Sequence, residues 1–536
     1  MTMSIDERFN RRSNIDHNGQ SNPLDDTVKI SYGTAGFREK AEVLPFVALR
    51  VGYLAALRSR VLNKAIGLMI TASHNPQCDN GVKIVDPNGE MLASEWENHA
   101  TMLVSIPDDE LLREMKKLEE TLQLGDAKEA RVICAVDTRP SGQHLADAAK
   151  AGAALCNVDF EFLGLLTTPQ LHYAVRVQND PAFGPPGEDG YYTKIGTAFR
   201  QFYELLPNKS SPTLLMLDCA NGVGAPKARK LFDALPKNLM EVDFKNEVGE
   251  LNHECGADFV KICKQSPVPT CIEGVRCASL DGDADRLVYF YSKNSESKNV
   301  ILLDGDKIAV LFAKFLIEEL KEAKVFDQLT IGIVQTAYAN GASSAYIKNQ
   351  LGVDPIFVPT GVKHLHHEAM KYDIGVYFEA NGHGTICFSD HFKSLISGGE
   401  TSSPPKNRLY WFSQLINEVV GDALADLLAV ELLLKYYGWT VEDWANKLYH
   451  DAPNIQIKVP VTDRSIFQTT WDETRLIAPL GLQDKIDHLV NELGAIRAFA
   501  RPSGTEKTVR VYAEAEDAEV ANKLGEKVAE IIRNFN

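Results

Sequence analysis

The sequence predicts an α/β protein with several domains and mainly parallel sheets. Short apolar runs typical of buried strands alternate with longer amphipathic segments typical of helices, which is the pattern of repeated βα units. Each run ends in a polar or small-residue turn, and ligands of such sheets bind at these strand ends. The clearest runs are Ala65–Ile70, Val132–Val136, Leu214–Leu217 and Ile331–Val334.

The length of 536 residues corresponds to roughly three to four domains of about 150 residues each. Polar and proline-containing stretches at Pro207–Pro212, Ser292–Asn299 and Tyr449–Pro453 are typical of domain boundaries. After the last of these, strand-like alternation resumes at Ile455. We therefore expect four domains, the last of them a smaller α+β domain, with the bounds 1–206, 207–297, 298–450 and 451–536.

Two polar segments have no assigned role. Met1–Asp26 has no apolar core segment, which predicts neither a secretory signal nor a folded element, but a dangling or surface segment. Gly398–Asn407 is rich in glycine, serine and proline, which is typical of a loop inserted within a domain.

Composition limits the classes of partner. The content of 44% hydrophobic and 24% charged residues is ordinary for a soluble globular protein. A formal charge of −17 disfavours a nucleic-acid or anionic-membrane surface. The sequence contains no stretch of about eighteen apolar residues, so no membrane span is predicted. The nine cysteines include no CxxC pair, so we expect buried reduced thiols and a cytoplasmic location.

The segment Thr71–Pro76 follows the first apolar run and contains a serine in a tight polar turn. Proline disfavours helical geometry at Asn75, so the strand should end here and leave Ser73 in an exposed loop. A hydroxyl in that position can carry a phosphoryl group. The alternative is that Ser73 only hydrogen-bonds the turn.

The segment Asp281-Gly282-Asp283-Ala284-Asp285-Arg286 places three carboxylates at alternate positions before the strand-like Leu287–Phe290. Clustered carboxylates repel unless a cation lies among them, and oxygen ligands from a short loop favour Mg²⁺. An EF-hand would need glycine and an acid where Arg286 and Ser292 stand. A solvated acidic turn is the other alternative, but an adjacent arginine suits a phosphate better.

A third segment, Arg501–Arg510, combines arginines, hydroxyls and a glycine in the sequence Arg-Pro-Ser-Gly-Thr-Glu-Lys-Thr-Val-Arg. Backbone N–H groups around Gly504, with the Ser503 and Thr505 hydroxyls, can bind an anion, and the bracketing arginines favour a phosphate over a plain turn. The Walker A spacing is missing, so nucleotide hydrolysis is not indicated.

A fourth segment, Glu379-Ala380-Asn381-Gly382-His383, follows the apolar run Ile374–Tyr377. Adjacent carboxylate and amide groups can bind sugar hydroxyls or an amide, although a capped loop is an equal alternative. Thr360-Gly361-Val362-Lys363-His364 could contribute a lysine and a histidine to the same site.

Together these four segments resemble the α-D-phosphohexomutase superfamily over nearly the whole chain and in the family order. Tyr32–Arg38 and the Glu-Ala-Asn-Gly-His form of the fourth segment are most similar to the eukaryotic branch that acts on N-acetylglucosamine phosphates. Glucose and mannose phosphate mutases more often have serine where Asn381 stands. The resemblance implies four domains around a central cleft, three of them related αβα domains with mixed sheets and the last a smaller C-terminal domain that closes as a mobile lid.

The resemblance also implies a reaction. Phosphorylated Ser73 would pass its phosphoryl group to N-acetylglucosamine 6-phosphate, forming a sugar 1,6-bisphosphate that returns the other group and leaves the 1-phosphate for UDP-N-acetylglucosamine synthesis. Mg²⁺ would be the metal cofactor, and the protein would be a monomer or weak homodimer. The implied catalytic residues are Ser73, His74, Arg38, Lys83 and Arg286. The implied metal ligands are Ser73, Asp281, Asp283 and Asp285. The implied substrate-binding residues are Thr360, Gly361, Lys363, His364, Glu379, Asn381, His383, Arg501, Ser503, Gly504, Thr505 and Arg510.

Three alternatives stay open. A glucose or mannose phosphate mutase would use the same segments, a Mg²⁺-dependent phosphatase would use the same acidic loop, and a sugar-phosphate sensor would bind without turnover. His74, Lys83 and His364 are equal candidates for the acid/base group.

Overall fold

The computed structural model describes residues 5–25, 28–33, 35–122, 124, 127–207, 213–235, 240–267, 272–294, 298–397, 403–503 and 507–535. The chain divides into two compact units. Unit 1 comprises Met1–Leu302 and Tyr410–Val441, and unit 2 comprises Leu303–Leu409 and Glu442–Asn536. Within the described ranges, no helix combines the length and the apolar character that crossing a membrane requires.

The first sheet of unit 1 is mixed. Its elements are β1 Phe37–Lys40, α1 Pro45–Leu62, β2 Ala65–Ile70, β3 Asp79–Val85, α2 Ser94–Ser105, α3 Asp108–Thr121, β4 Arg131–Val136, α4 Gly142–Ala154, β5 Asp159–Leu165, α5 Thr168–Asn179 and α6 Gly187–Glu204. The strand order is β1-β3-β2-β4-β5. Strand β4 is parallel to β2 and β5, whereas β3 is antiparallel to β1 and β2. Because β2 and β4 are parallel, the residues after Ile70 and Val136 meet at one sheet edge.

Helices α1 and α4 pack closely through glycine. A Cβ on Gly52 would lie 2.0 Å from the Ala149 carbonyl oxygen, and one on Gly152 would lie 1.8 Å from that of Leu49. Any larger residue at either position would separate the helices and open the core beside β2 and β4.

The second sheet of unit 1 provides the strand that precedes the acidic loop. Its elements are β6 Leu214–Asp218, α7 Gly224–Asp233, β7 Glu241–Lys245, α8 Ala257–Cys263, β8 Arg276–Leu280, β9 Leu287–Tyr291 and β10 Ile301–Leu303. The order is β10-β9-β8-β6-β7, with β6 parallel to β7 and β8, and β8 antiparallel to β9.

The third sheet lies in unit 2. Its elements are α9 Gly305–Glu322, β11 Ile331–Thr336, α10 Gly341–Tyr346, β12 Pro355–Val358, α11 Val362–Ala369, β13 Ile374–Phe378, β14 Gly384–Phe388 and α12 Asp390–Ile396. The order is β12-β11-β13-β14, and β11 is parallel to both neighbours. The turns after β11, β12 and β13 therefore share one edge. The chain continues through helices α13 Pro404–Leu415, α14 Ala423–Tyr437 and α15 Val441–Lys447.

The C-terminal elements form a smaller α+β region of unit 2, as the sequence predicts. They are β15 Asn454–Pro460, β16 Gln468–Thr469, β17 Leu476–Ala478, α16 Leu482–Leu493, β18 Arg497–Pro502, β19 Thr508–Glu514 and α17 Ala518–Asn534. Strand β19 lies between β15 and β18 and is antiparallel to both. Helix α17 packs on this sheet through residues that include Leu524, Val528 and Ile532.

Of the two predicted alternatives for the N-terminal segment, dangling or lying on the surface, the first is wrong for the described part. Phe9 and Asn14 are buried, and the Asn14 carboxamide oxygen accepts the Phe46 N–H at 3.1 Å at the start of α1. The buried Arg11 guanidinium donates to the carbonyl oxygens of Val104 and Asp25. The polar residues therefore satisfy backbone groups of the first sheet's helices, a role that composition does not reveal.

Two further expectations are corrected in part. Helix α13 begins at Pro404, so the end of the predicted inserted loop is helical, and residues 398–402 lie outside the described residues. Among the described cysteines Cys78 and Cys263 are exposed, whereas six others are buried as predicted. Cys271 lies outside the described residues.

Candidate active site

Ser73 lies just beyond the carboxyl end of β2 in a strained backbone conformation. Its φ is +52°, a left-handed geometry that costs a non-glycine residue about 1–2 kcal/mol. The Thr71 hydroxyl oxygen accepts the Ser73 N–H at 2.9 Å and the hydroxyl donates to Asp137 at 2.7 Å. The turn after β2 is thereby tied to the end of β4.

The prediction that Ser73 is exposed is wrong, because only 1% of the residue is accessible. Asn252 donates to the Ser73 carbonyl oxygen at 2.8 Å, and a Cβ on Gly282 would lie 2.7 Å from that oxygen. The acidic loop therefore lies directly against the serine turn, and only glycine at position 282 permits this approach.

Arg139 organises the serine turn and was not predicted. Its side chain is fully buried and pairs with the Asp137 carboxylate at 3.0 Å. The guanidinium also donates to four carbonyl oxygens of the turn and its continuation, namely those of Ser73, Asn75, Pro76 and Asp79. The sequence signal is Asp137-Thr138-Arg139, which directly follows the apolar run Val132–Val136.

We expect Arg139→Lys to lower both stability and turnover. An ammonium group has three donors and cannot reproduce the planar guanidinium fork, so buried carbonyl oxygens lose partners at about 1–3 kcal/mol each. A misplaced serine turn should lower kcat about 10²-fold. Thermal unfolding and steady-state kinetics measure both, with Arg131→Lys, at the start of β4, as the matched control. A near-normal kcat in a destabilised variant would contradict the positioning role.

The three carboxylates of the acidic loop form a compact cluster after β8. Asp281, Asp283 and Asp285 are buried, and one oxygen from each lies within 4.8 Å of the others. The Ser73 hydroxyl donates to Asp281 Oδ2 at 2.6 Å and lies 3.4 Å from Asp285 Oδ1. Burial, followed by the neighbouring Asp285 and Asp283 charges, raises the pKa of Asp281 well above its usual range.

The cluster fits a hard divalent cation. Asp283 Oδ2 accepts from the Thr168 hydroxyl at 2.6 Å, while its buried Oδ1 has no hydrogen-bond partner among the described residues. The Asp281 Oδ1 atom accepts the N–H groups of Asp285 and Arg286. Oriented carboxylate oxygens with one orphaned atom are a suitable donor set for Mg²⁺. Thr168 was not predicted; it begins helix α5 directly after the capping residue Thr167.

The predicted basic residues of unit 1 lie around this cluster. Lys83 Nζ lies 3.4 Å from Asp283 and 3.7 Å from Asp285. Arg286 Nε lies 3.8 Å from Asp281 and 3.9 Å from Asp285. Arg38 reaches the Asn75 side chain at 3.4 Å, and its buried Nε has no partner among the described residues. The serine, the acidic loop and the three cations therefore form a single site.

His74 lies in the same group of charges. Burial, together with the positive charges of Arg286 and Arg38, lowers the pKa of His74 to about 2. The imidazole is therefore neutral at physiological pH in this charge environment. Its buried Nδ1 has no hydrogen-bond partner among the described residues.

The predicted sugar-binding segment forms a tight hairpin between β13 and β14 in unit 2. The Glu379 N–H donates to the His383 carbonyl oxygen at 2.8 Å, and Gly382 turns the chain at φ +89°. Asn381 donates to the Glu379 carboxylate at 3.1 Å and accepts the His383 N–H at 2.9 Å. The hairpin thus fixes Glu379 and Asn381 relative to each other, and His383 is buried beside them.

The segment at positions 360–364 begins in the turn after β12, at the same edge of the third sheet, and its last three residues begin α11. Gly361 precedes the helix with φ +128°. Lys363 is buried, whereas His364 is exposed. Although these two predicted residues are consecutive in one helix, their side chains therefore lie in different environments.

The predicted phosphate-binding arginines lie opposite each other on β18 and β19. Arg501 is the register partner of Arg510, and the Ser503 N–H donates to the Thr508 carbonyl oxygen at 2.8 Å. Arg501 is 8% accessible and lies 5.7 Å from the centre of the Tyr338 ring. The predicted residues Gly504 and Thr505 lie outside the described residues.

Glu473 joins two predicted binding residues and was not predicted. Its carboxylate accepts the Thr360 N–H at 2.9 Å and the Thr360 hydroxyl at 2.6 Å. Both of its oxygens also lie 2.9 Å from Arg501 Nη1. The sequence around it, Thr-Trp-Asp-Glu-Thr, has no distinctive signal.

Family models match four successive parts of the chain. The phosphoglucomutase/phosphomannomutase α/β/α domain I model matches residues 31–105 and 115–183, and the C-terminal domain model of that family matches 457–531. The models of phosphoacetylglucosamine mutase AMG1 domains II and III match 185–288 and 304–439. The chain belongs to the phosphoacetylglucosamine mutase family, within the α-D-phosphohexomutases.

Full-length relatives agree with this membership in the phosphoacetylglucosamine mutase family. The phosphoacetylglucosamine mutase of Arabidopsis thaliana is 46% identical, with 96% of each chain covered. The crystal structure of Aspergillus fumigatus N-acetylphosphoglucosamine mutase in complex with GlcNAc-6P and magnesium is 43% identical, has a TM-score of 0.90 and covers 95% of this chain and 97% of its own. A mutated form of that enzyme in complex with glucose 1,6-bisphosphate has a TM-score of 0.89 and 43% identity, with 96% and 97% covered.

Proposed function

We propose that this chain interconverts N-acetylglucosamine 6-phosphate and N-acetylglucosamine 1-phosphate, with Ser73 as the phosphoryl carrier. Family membership makes it an isomerase of the phosphohexomutase type. The observation that carries the assignment of Ser73 is the 2.6 Å contact between its hydroxyl and Asp281, inside a buried acidic cluster bordered by three cationic side chains.

In the first half of the proposed reaction, the anomeric hydroxyl of the 6-phosphate attacks the phosphorus of phosphorylated Ser73. The bond from phosphorus to Ser73 Oγ breaks, the hydroxyl proton passes to a base, and a 1,6-bisphosphate forms. After the sugar reorients, Ser73 Oγ attacks the phosphorus of the C6 phosphate, the bond from that phosphorus to O6 breaks, the base returns the proton to O6, and the 1-phosphate is released. The phosphoserine is regenerated, so no phosphate is consumed.

Positioning and charge supply most of the catalysis of such a transfer. A phosphoserine carries about −1.5 to −2 charges at neutral pH, and Arg38, Arg286 and Lys83 would stabilise it. Asp281, Asp283, Asp285 and the Ser73 phosphoryl oxygens would hold Mg²⁺, which would neutralise charge on the transferring group. His74, Lys83 and His364 all stay predictions for the group that takes the hydroxyl proton.

The predicted binding segments of unit 2 would hold the rest of the substrate. We assign the sugar to Glu379, Asn381 and His383, with Thr360, Gly361 and Lys363 at the same edge of the third sheet. We assign the phosphate that does not react to Arg501, Ser503, Gly504, Thr505 and Arg510. The convergence of two arginines on neighbouring strands supports the phosphate assignment.

A comparison of substrates tests the sugar assignment. We expect kcat/KM to be at least about tenfold higher for N-acetylglucosamine phosphate than for glucose phosphate, because a site that hydrogen-bonds an amide discriminates against a substrate without one. Asn381→Ser should narrow this ratio, whereas Asn349→Ser, at an exposed position, should not. Faster turnover of glucose 1-phosphate by the unaltered chain would instead identify a glucose phosphate mutase.

Several finer points stay predictions. They are the four domain bounds, the C-terminal lid, a cytoplasmic location, the supply of UDP-N-acetylglucosamine synthesis and a monomeric or weakly dimeric state.

A further inference from the structure

Glu473 places a carboxylate on the arginine that we assign to the substrate phosphate. Both Glu473 oxygens contact Arg501 Nη1, at 2.9 Å. The Arg501 Nε atom is buried and has no partner among the described residues. The guanidinium therefore has one side paired with an internal anion and another side that can still donate to a second anion.

The position of Glu473 is fixed from two directions. Its backbone adopts the left-handed φ of +58°, which is uncommon for glutamate. Thr360 donates its N–H and its hydroxyl to the same carboxylate, and the Glu473 N–H donates to the Thr470 carbonyl oxygen at 3.0 Å. The Glu473 side chain is only 19% accessible, so solvent screens its charge incompletely.

We propose that Glu473 is the internal counter-ion of Arg501, the anchor of the substrate phosphate, and that it lowers the affinity of this anchor for phosphate. This inference rests on the proposed function. The Glu473 carboxylate occupies Arg501 Nη1, which is then not available to a phosphate, and its negative charge repels a phosphate bound to the remaining N–H groups. The reaction requires this moderation, because each phosphate of the bisphosphate must in turn occupy the anchor and leave it. An anchor without a counter-ion would hold one end of the intermediate and slow its reorientation.

The test uses two neutral variants of the full-length enzyme. Glu473→Gln keeps the side-chain length and removes the charge, while Glu473→Asn suits the left-handed backbone, since asparagine adopts it more readily than most residues. We expect the inhibition constant of inorganic phosphate and the KM for N-acetylglucosamine 6-phosphate to fall about tenfold, with a lower kcat. Glu492→Gln, which removes an exposed carboxylate of the same unit, is the matched control and should change neither constant.

A second arginine variant separates this inference from the proposed function. Arg501→Gln should raise the KM at least about tenfold, and in its background Glu473→Gln should no longer tighten phosphate binding. An unchanged KM in Arg501→Gln would overturn the phosphate assignment itself. A different result would overturn only the counter-ion role: Arg501→Gln raises the KM, but neither Glu473 variant binds phosphate more tightly than the unaltered chain. Glu473 would then only orient Arg501.

Discussion

Replacing Ser73 by alanine should abolish mutase turnover, with a loss on the order of 10⁴-fold or more, as for the nucleophile of other covalent enzymes. The phosphoryl group would have no oxygen to occupy, while the Asp281, Asp283 and Asp285 cluster and the surrounding cations would be unchanged. Steady-state kinetics measure the loss. Intact-mass spectrometry should show one phosphoryl group on the unaltered chain and none on the variant.

The fold should survive this substitution. Alanine loses only the hydroxyl that donates to Asp281 at 2.6 Å, so we expect the free energy of unfolding to fall by about 1–2 kcal/mol. Ser105→Ala, which removes an exposed helix hydroxyl, is the matched control for the mass measurement and the kinetics.

Added glucose 1,6-bisphosphate distinguishes a phosphoryl carrier from other roles of Ser73. A carrier that has lost its phosphoryl group is restored by bisphosphate, since the serine can accept a group from it. Ser73→Ala cannot accept one, so bisphosphate should activate the dephosphorylated unaltered chain and leave the variant inactive. Turnover of Ser73→Ala within tenfold of the unaltered chain would refute the phosphoserine mechanism.

The sequence allows prediction of the groups that directly follow strands. Ser73 follows β2, Asp281 follows β8 and Glu379 follows β13, and each strand is a recognisable apolar run. Local pattern and residue chemistry were therefore sufficient to place Ser73, the acidic loop and the Glu379 hairpin at strand ends.

What the sequence does not reveal depends on contacts between distant positions. Arg139 reaches the Ser73 carbonyl across 66 positions, and Asn252 reaches it across 179. Glu473 reaches Thr360 across 113 positions. The burial of Ser73 and the pairing of Arg501 result from these contacts, and neither leaves a periodicity or a local motif. The positions of the motifs at strand ends were predictable, whereas the residues that orient the motifs were not.

Replacing Asp283 by asparagine should lower activity while raising the stability of the metal-free protein. Three buried carboxylates within 4.8 Å repel one another without a cation, and asparagine removes one charge while its carbonyl oxygen can still accept from the Thr168 hydroxyl. The loss of a carboxylate ligand should weaken Mg²⁺ binding and lower kcat/KM on the order of 10²–10³-fold. In the unaltered chain, chelation of divalent cations should remove several kcal/mol of transition-state stabilisation.

Thermal unfolding with and without Mg²⁺ separates the two effects of Asp283→Asn. In chelator, the variant should unfold at a higher temperature than the unaltered chain, because charge repulsion in the native state is reduced. In Mg²⁺, the order should reverse, since the unaltered chain binds the ion more tightly and gains more stability from it. Asp243→Asn, which changes a partly exposed carboxylate on β7 that pairs with Lys245, should change the order of unfolding temperatures in neither condition. If Mg²⁺ stabilises Asp283→Asn and the unaltered chain equally, the carboxylates cluster for a structural reason and the metal assignment fails. If the unaltered chain is the more stable of the two in Mg²⁺ and the less stable in chelator, the three carboxylates form a cation-binding site whose ligands are held together against their own repulsion.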